Sequence, residues 1–318
     1  MDAVDTYLST YPGSPIVLDV LGTLDGDEIR ARVRELDPGA VEIFSFAASV
    51  GALFGIRRDD GSRVAMKIHK LFRDERFLDD LQTVQRALVD RGFPAPRPLG
   101  RQGYVTWEAW QDQGVFVDAH DPRVRRVLAR TLARLVELAT ATGVRPRRPL
   151  ELLPGGLWPV PHNALFDFGA SHEGAEWIDE IARNAAAARD AVPGREVVGH
   201  TDWAVKHLRF DAELHPTVVY DWDSLDTQSE SRIVGSAAAS FVYTEELEVE
   251  SLWPSVEESL AFIAEYEEAR GKPFTDAERS AVHGAAVYLG AYVARCHWAH
   301  VRQVNRGVLE ELASALLQ

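Results

Sequence analysis

The stretch His200-Thr201-Asp202-Trp203-Ala204-Val205-Lys206-His207, with Val219-Tyr220-Asp221-Trp222-Asp223 shortly after it, decides the fold of this chain. Each stretch begins where a short β-type run, 196–199 or 216–220, ends, so each is predicted to form a loop. A carboxylate in such a loop can orient a hydroxyl group and accept its proton, which predicts a catalytic role for Asp202. A second carboxylate can hold a divalent cation through oxygen, which predicts a metal ligand at Asp221.

A third element lies upstream, on the strand-like run 63–69. Its Lys67 is one of only four lysines in a chain with thirty arginines. A lysine on a rigid strand can hold phosphate oxygens, and phosphoryl transfer needs mainly positioning and charge neutralisation. The order Lys67, Asp202, Asp221 is that of a protein-kinase-like signature.

With these motifs, the chain resembles the aminoglycoside phosphotransferase family over roughly residues 41–243. The family's segments read H-x-D-x-x-x-x-N and I-D-W/F-E/D, and 92–96 and the connector 106–110 are also similar to the family. The resemblance implies an α+β, bilobal, protein-kinase-like fold. Its N-terminal lobe would be a small antiparallel sheet with one main helix, and its C-terminal lobe would be larger and mostly helical. It also implies that His200 braces the metal-binding segment.

Two metal-site residues leave alternatives open. His207 stands where the family has asparagine, and Mg²⁺ favours a hard oxygen over an imidazole nitrogen. His207 is therefore predicted either as a weak ligand or as a hydrogen-bonding residue, and the site could rest on Asp221 and Asp223, hold one ion or favour Mn²⁺. Asp223 itself is either a ligand or a member of a structural ion pair.

The nucleotide contacts implied by the resemblance lie in the N-terminal third. Gln82 stands where the glutamate partner of the strand lysine is expected, and it could hydrogen-bond Lys67 without supplying a charge. The segment 47–52 with Ser49 is predicted to be the phosphate loop, although it lacks a glycine-rich fingerprint. The connector residues Trp107, Glu108 and Ala109 are predicted to offer backbone groups to adenine.

Periodicity outlines two lobes around a connector. Alternating runs at 41–46, 52–58 and 63–69, joined by the hairpin signal Asp59-Asp60-Gly61, predict an antiparallel meander. A helix at 29–36 precedes it, and a helix at 74–91 and a strand at 103–110 follow. The segment 146–161 is proline-rich and predicted to be irregular. Further helices are predicted at 122–142, 176–192, 231–246, 255–270 and 275–312. We expect residues 1–110 to form a nucleotide-binding lobe with a helical N-terminal extension, and residues 111–318 to form a catalytic and acceptor-binding lobe.

Composition excludes several classes of protein. The 318 residues are 46% apolar and 26% charged, which is globular rather than disordered. The net charge of −15 argues against nucleic acid as a main partner. The single cysteine excludes an internal disulfide, and no stretch of about twenty apolar residues predicts a membrane span. We expect a cytoplasmic location.

These features predict an ATP-dependent O-phosphotransferase that uses Mg²⁺, or Mn²⁺, and acts on a small hydroxylated molecule. The resemblance implies an aminoglycoside-like antibiotic or an amino sugar as acceptor. A metabolite kinase for a sugar or amino alcohol, and a catalytically impaired nucleotide-binding protein, are the alternatives. The acidic run 245–278 would suit a cationic acceptor, but it would equally suit a solvated helix face.

Overall fold

The computed structural model describes residues 2–70, 74–149 and 151–317. Its N-terminal part is built on a five-stranded antiparallel sheet with the strand order β1-β2-β3-β5-β4. The strands are β1 (Ala40–Ala48), β2 (Gly51–Arg58), β3 (Arg63–His69), β4 (Pro98–Gln102) and β5 (Val105–Ala109). The meander of β1 to β3 confirms the prediction from alternation. β4 was not predicted, because a register shift and Gly100 at φ 140° interrupt its alternation.

Three short helices cover one face of this sheet: α1 (Ala3–Thr10), α2 (Pro15–Leu21) and α3 (Gly26–Leu36). Their buried residues pack with Phe54, Ile56 and Met66 of the sheet into one apolar core. Side chains of Asp2, Ser14 and Asp25 cap the three helix starts. Only α3 was predicted, because α1 and α2 are too short to show a helical period.

Helix α4 (Glu75–Asp90) has the predicted amphipathic pattern. Its apolar residues, such as Leu78 and Leu81, are buried in a second and larger core. That core also includes Leu128 and Leu132 of α5 (Pro122–Thr140). Helix α4 therefore packs against the helical part of the molecule.

The rest of the described chain is mainly helical, with two small sheets. Strand β6 (Glu196–His200) pairs with β9 (Leu225–Ser229), and β7 (Leu208–Phe210) pairs with β8 (Pro216–Val219). β9 was not predicted, because its sequence is largely polar. The helices are α6 (Glu176–Arg189), α7 (Glu230–Ser240), α8 (Val256–Arg270), α9 (Asp276–Val301) and α10 (Arg306–Leu316).

Two predicted helix boundaries are wrong. The helix predicted at 231–246 ends at Ser240. The helix predicted at 275–312 is broken, because Arg302 adopts a left-handed conformation with φ 57° and Asn305 caps a new helix. The segment 146–161 is irregular as predicted, residue 150 lying outside the described residues.

The architecture confirms the predicted α+β, bilobal, kinase-like fold. A division near residue 110 would fall between β5 and α5. Within the described ranges, no helix combines the length and the apolar character that crossing a bilayer requires.

Candidate active site

Backbone hydrogen bonds bring the two motif loops together. The N–H and the hydroxyl of Thr201 both donate to the carbonyl of Ser224, at 2.8 and 2.9 Å. The N–H of Tyr220 donates to the carbonyl of His207 at 2.8 Å. Since these bonds cross between the loops at two points, Asp202 and Asp221 are held on one surface.

His200 lies fully buried beneath this surface. Its Nε2 donates to the carbonyl of Tyr220 at 3.2 Å, and its Nδ1 accepts from the N–H of Asp202 at 3.3 Å. These two partners select the neutral tautomer, and burial keeps the pKa of His200 below its usual value. The geometry fits the bracing role that the resemblance implied.

Asp202, His207 and Asp221 form a compact group of potential ligands. One ligand atom from each lies within 4.8 Å of the other two. The Nε2 of His207 is 3.0 Å from Oδ2 of Asp202, a contact that fits the hydrogen-bonding alternative predicted for His207. Burial pushes the pKa of Asp202 upward, but the hydrogen bond and charge of His207 and the charge of Lys206 outweigh it and hold the pKa well below its usual range. Asp202 is therefore ionised and can accept a hydrogen bond from a hydroxyl group.

Asp221 is held in an uncommon backbone conformation. It has φ 61° and ψ 49°, in the left-handed region, where a residue with a side chain costs about 1 kcal/mol or more. The hydroxyl of Ser224 donates to its Oδ2 at 2.7 Å, and Lys67 contacts its Oδ1 at 3.0 Å. Local strain of this kind accumulates at functional sites, which supports a functional role for Asp221.

Lys67 connects β3 to the second loop. Its Nζ lies 3.0 Å from Asp221 and 2.5 Å from Oδ1 of Asp223. Burial alone would lower the pKa of Lys67, but the two carboxylates outweigh it and raise the pKa, so the amine is protonated. The other oxygen of Asp223 is 3.5 Å from Nδ1 of the buried His69. Because both oxygens of Asp223 face the N-terminal sheet, its geometry favours the ion-pair alternative over a metal ligand.

Gln82, which was predicted as the partner of Lys67, makes a different contact in the structure. The amide of Gln82 donates to the carbonyl of Gly100 at 2.8 Å, where β4 is irregular, so the bond to Lys67 considered for it is not formed. One turn later on α4, the amide of Gln85 donates to Glu108 at 2.9 Å. Burial, partly offset by Gln85 and Lys67, raises the pKa of Glu108 to about 7. The side chain of Glu108, which sequence reasoning left without a role, thus lies near the charged centre.

The predicted adenine contacts at 107–109 are not supported by the backbone. Strand β5 is paired with both β3 and β4, and the N–H of Ala109 donates to the backbone carbonyl of Arg97 at 2.9 Å. The indole of Trp107 points to the opposite face and donates to Asp37 at 3.0 Å. A backbone N–H that is already paired is not free to donate to a base. The N–H groups of Ala109 and Trp110 are both paired, with the carbonyls of Arg97 and Arg63, so a donor to the base would come from the connector after Trp110.

The predicted phosphate loop is a tight hairpin between β1 and β2. Ser49 is exposed at its tip, and its N–H donates to the carbonyl of Gly51 at 2.9 Å. A Cβ at Gly51 would lie 2.6 Å from the carbonyl oxygen of Ile68, so only glycine fits this approach. From α1, the hydroxyl of Tyr7 donates to the carbonyl of Ala48 at 3.1 Å. Helix α1 thus anchors the hairpin through Tyr7.

Three glutamates of the acidic run 245–278 form ion pairs with residues outside this site. Glu258 contacts His120 at 2.7 Å, Glu265 contacts Arg125 at 3.1 Å, and Glu267 contacts Arg279 at 2.8 Å. These ion pairs fix α8 against its neighbours, which favours the structural alternative for residues 257–278. Glu245 differs, because it accepts at 2.6 Å from the hydroxyl of Tyr243, and the carbonyl of Tyr243 accepts from the N–H of Lys206 in the turn 205–207.

The comparisons with known proteins concern the fold. No protein-family model matches the sequence, and no curated protein matches it significantly. Solved structures do match: the amicoumacin kinase hAmiN, in complex with AMP-PNP and Ca²⁺, has a TM-score of 0.54 at 10% identity, covering 92% of this chain and 93% of that chain. The chain shares the fold of small-molecule kinases.

Two further structures agree. An ethanolamine kinase from Plasmodium vivax has a TM-score of 0.52 at 12% identity, covering 86% of this chain and 80% of that chain. The aminoglycoside phosphotransferase APH(4)-Ia has a TM-score of 0.53 at 12% identity, covering 92% of this chain and 99% of that chain. These likenesses confirm the predicted kinase-like fold, and identities this low carry no information about the acceptor.

Proposed function

We propose that the protein transfers the γ-phosphoryl group of ATP to a hydroxyl group of a small molecule. The observation that carries this proposal is the convergence of Lys67, Asp202 and Asp221 from three separate segments of the chain. The fold shared with small-molecule kinases supports it. Phosphoryl transfer needs a positioned hydroxyl group and cationic contacts on the phosphates, and these residues offer both.

Each residue has a distinct task in this proposal. Asp202 orients the acceptor hydroxyl and takes its proton as the new O–P bond forms. Lys67 exchanges its carboxylate partners for phosphate oxygens, since its amine is protonated and held at the end of β3. The hairpin 47–52, with Ser49 at its tip, covers the phosphates, and the base lies against the connector after Ala109. Residues 1–110 and 111–318 form the two walls of the cleft.

The donor set around Asp221 fits a divalent cation. Two carboxylates and one imidazole lie within 4.8 Å of one another, and Asp221 and His207 would hold the ion while Asp202 faces the acceptor. When bound, the ion neutralises charge on the transferred phosphates. We propose Mg²⁺, with Mn²⁺ as the alternative that the nitrogen of His207 favours. The nucleotide analogue and Ca²⁺ named for the amicoumacin kinase support the use of both kinds of ligand.

The test is an ATP-coupled screen of hydroxylated acceptors, with Mg²⁺ and then with Mn²⁺. It covers aminoglycosides, amino sugars, nucleosides and small alcohols. We expect ADP formation that depends on one acceptor class. Nucleotide binding without turnover under either metal would favour the impaired alternative and overturn the proposal.

Two variants test the proposed role of Asp202 in transfer. Asp202→Ala should lower transfer by about 100-fold or more while nucleotide affinity, measured by calorimetry, stays nearly unchanged. Asp211→Ala is the matched control, because Asp211 is partly exposed and belongs to a separate carboxylate–imidazole group with the exposed Glu213 and His215. Retained transfer in the Asp202 variant would remove Asp202 from the mechanism.

A further inference from the structure

Among the described residues, helix α4 forms no ion pair with Lys67. Two acidic residues of the helix, Glu75 and Asp79, are paired instead with Arg101 of β4, at 2.9 and 2.6 Å. Its fully buried polar side chain, Gln85, is an uncharged amide. An ammonium group in a closed cleft needs an opposite charge nearby, so a carboxylate that positions Lys67 has to come from another element.

Strand β5 places Glu108 on the same face of the sheet as Lys67. In the register of β3 with β5, which runs without a shift, Glu108 lies opposite Ala65, two residues before Lys67. Opposed residues of an antiparallel pair share a face, and so do residues two apart on one strand. Glu108 and Lys67 are therefore diagonal neighbours, with β-carbons about 7 Å apart, and this spacing is within the reach of two long side chains.

This shared face is the one that meets the second motif loop. The residues on either side of Lys67, Met66 and Ile68, are buried in the core beneath α1 to α3. Lys67 points the other way, where its Nζ lies 3.0 Å from Asp221 and 2.5 Å from Asp223. Since the side chain of Glu108 shares this face, it lies on the cleft side of the sheet beside the lysine.

The carboxyl group of Glu108 is fixed in position but forms no ion pair with any described residue. The amide nitrogen of Gln85 donates to its Oε1 at 2.9 Å and to the carbonyl of Pro96 at 2.9 Å, which holds the two side chains together. Burial raises the pKa of Glu108 to about 7, and Gln85 and Lys67 offset this only in part. The ionised form of Glu108 therefore lacks a cation in direct contact.

The other charged groups that face Glu108 come from the second motif loop and from β3. The carboxylates of Asp223 and Asp221 add to the effect of burial and raise its pKa, whereas Lys67 lowers it. From β3, the buried His69 shares the face, but its Nδ1 is turned toward Asp223 at 3.5 Å. Helix α4 and strand β4 place an uncharged amide and a proline beside Glu108. Lys67 is thus the cation available to it.

We propose, building on the phosphotransferase function, that Glu108 is a positioning residue for Lys67. When nucleotide and cation enter, Lys67 leaves Asp221 and Asp223. One of its three N–H donors then turns to the carboxylate of Glu108, and the other two hold phosphate oxygens. A proton carried by Glu108 is released to solvent in this step. A carboxylate on β5 thereby supplies the charge that α4 does not bring to the lysine.

The first test is the number of protons released when nucleotide binds. Calorimetry of a non-hydrolysable ATP analogue with Mg²⁺, repeated in two buffers with different ionisation enthalpies, measures this number. At pH 7 about half of the Glu108 side chains carry a proton, because the pH equals the pKa. We expect the wild-type protein to release about half a proton more per nucleotide than Glu108→Gln. Protons from the nucleotide itself are common to both proteins and cancel in the difference.

The second test is the pH dependence of nucleotide affinity. At pH 8 the wild-type protein should bind the analogue about tenfold more tightly than Glu108→Gln, because the bond between two charged groups is formed. At pH 5.5 the two affinities should be nearly equal, because protonated Glu108 resembles glutamine. In turnover, the same difference should lie mainly in KM for ATP. Glu173→Gln, at an exposed glutamate, is the control and should match the wild-type protein at both pH values.

The outcomes separate this proposal from the proposed function. Nucleotide binding with equal proton release in the wild-type and Glu108→Gln proteins would overturn the role of Glu108 and leave the phosphotransferase function standing. An affinity difference that persists unchanged at pH 5.5 would also overturn it, because the charge of Glu108 would then not matter. The expected proton release without transfer to any acceptor would support the role of Glu108 and count against the phosphotransferase function. Failure of both proteins to bind the analogue would overturn both.

Discussion

The Glu108→Gln substitution tests the electrostatics of the cleft. Glu108 is half-buried between Gln85 and the charged group around Lys67. Burial, the largest cause, raises its pKa to about 7, whereas an ordinary glutamate has 4.5. Glutamine has nearly the same shape, keeps an oxygen that can accept from Gln85 and carries no charge at any pH.

The size of the expected stability gain follows from the linkage between protonation and folding. An acid whose pKa is raised on folding binds its proton more tightly in the folded state. The contribution of Glu108 to the free energy of unfolding is therefore greatest below pH 4.5 and falls as the pH rises to about 7. Each pH unit in this window costs about 1.4 kcal/mol, so the total is about 3 kcal/mol, an upper limit for a half-buried group. Glu108→Gln should therefore gain up to about 3 kcal/mol at pH 8 and almost nothing at pH 4.5.

Thermal melts at pH 4.5 and pH 8 provide the assay. At pH 8 we expect the melting temperature of Glu108→Gln to exceed that of the wild-type protein by about 5 °C, with coincident melts at pH 4.5. Glu173→Gln, at an exposed glutamate, is the control and should show no gain at either pH. An equal gain at both pH values would refute the reasoning, because the gain would then not depend on the ionisation of Glu108. A loss at pH 8 would also refute it, because ionised Glu108 would then stabilise its surroundings.

Three further substitutions test the metal site and the hairpin. His207→Asn should keep or raise Mg²⁺-supported transfer in the coupled assay, because the amide supplies a hard oxygen; complete loss would give the imidazole a role of its own. Tyr7→Phe removes the hydroxyl that holds Ala48 and should raise KM for ATP several-fold with little change in kcat. An unchanged KM would show that the hairpin is rigid without it. Gly51→Ala places a Cβ against the Ile68 carbonyl and should cost about 1–3 kcal/mol in denaturant melts; wild-type stability would contradict the predicted overlap.

Local patterns predicted much of the fold. The alternation of β1 to β3, the period of α4 and the motifs around Asp202 and Asp221 are all properties of neighbouring residues, so the sequence displays them directly. The missed elements lack such signals. β9 is largely polar, β4 contains a bulge at Gly100, and Arg302 gives no sequence warning that it breaks a helix.

For the candidate site, the sequence singled out Lys67, Asp202 and Asp221, which the structure brings together, but it did not predict how these residues pair. Lys67 contacts Asp221 and Asp223 across more than 150 positions of sequence, and only tertiary structure creates such contacts. The backbone pairing of β5 likewise occupies the N–H of Ala109, where the resemblance implied an adenine contact.

The charge around Lys67 has a consequence for the order of assembly. Two carboxylates, those of Asp221 and Asp223, contact the single ammonium group of Lys67, so on the proposed function a nucleotide without a cation would be repelled by them. On the proposed function, nucleotide and metal enter as one neutralised unit. After transfer, Lys67 can return to its two aspartates, and this return competes with ADP for the amine. The ion pair of the resting protein thus favours release of the spent nucleotide.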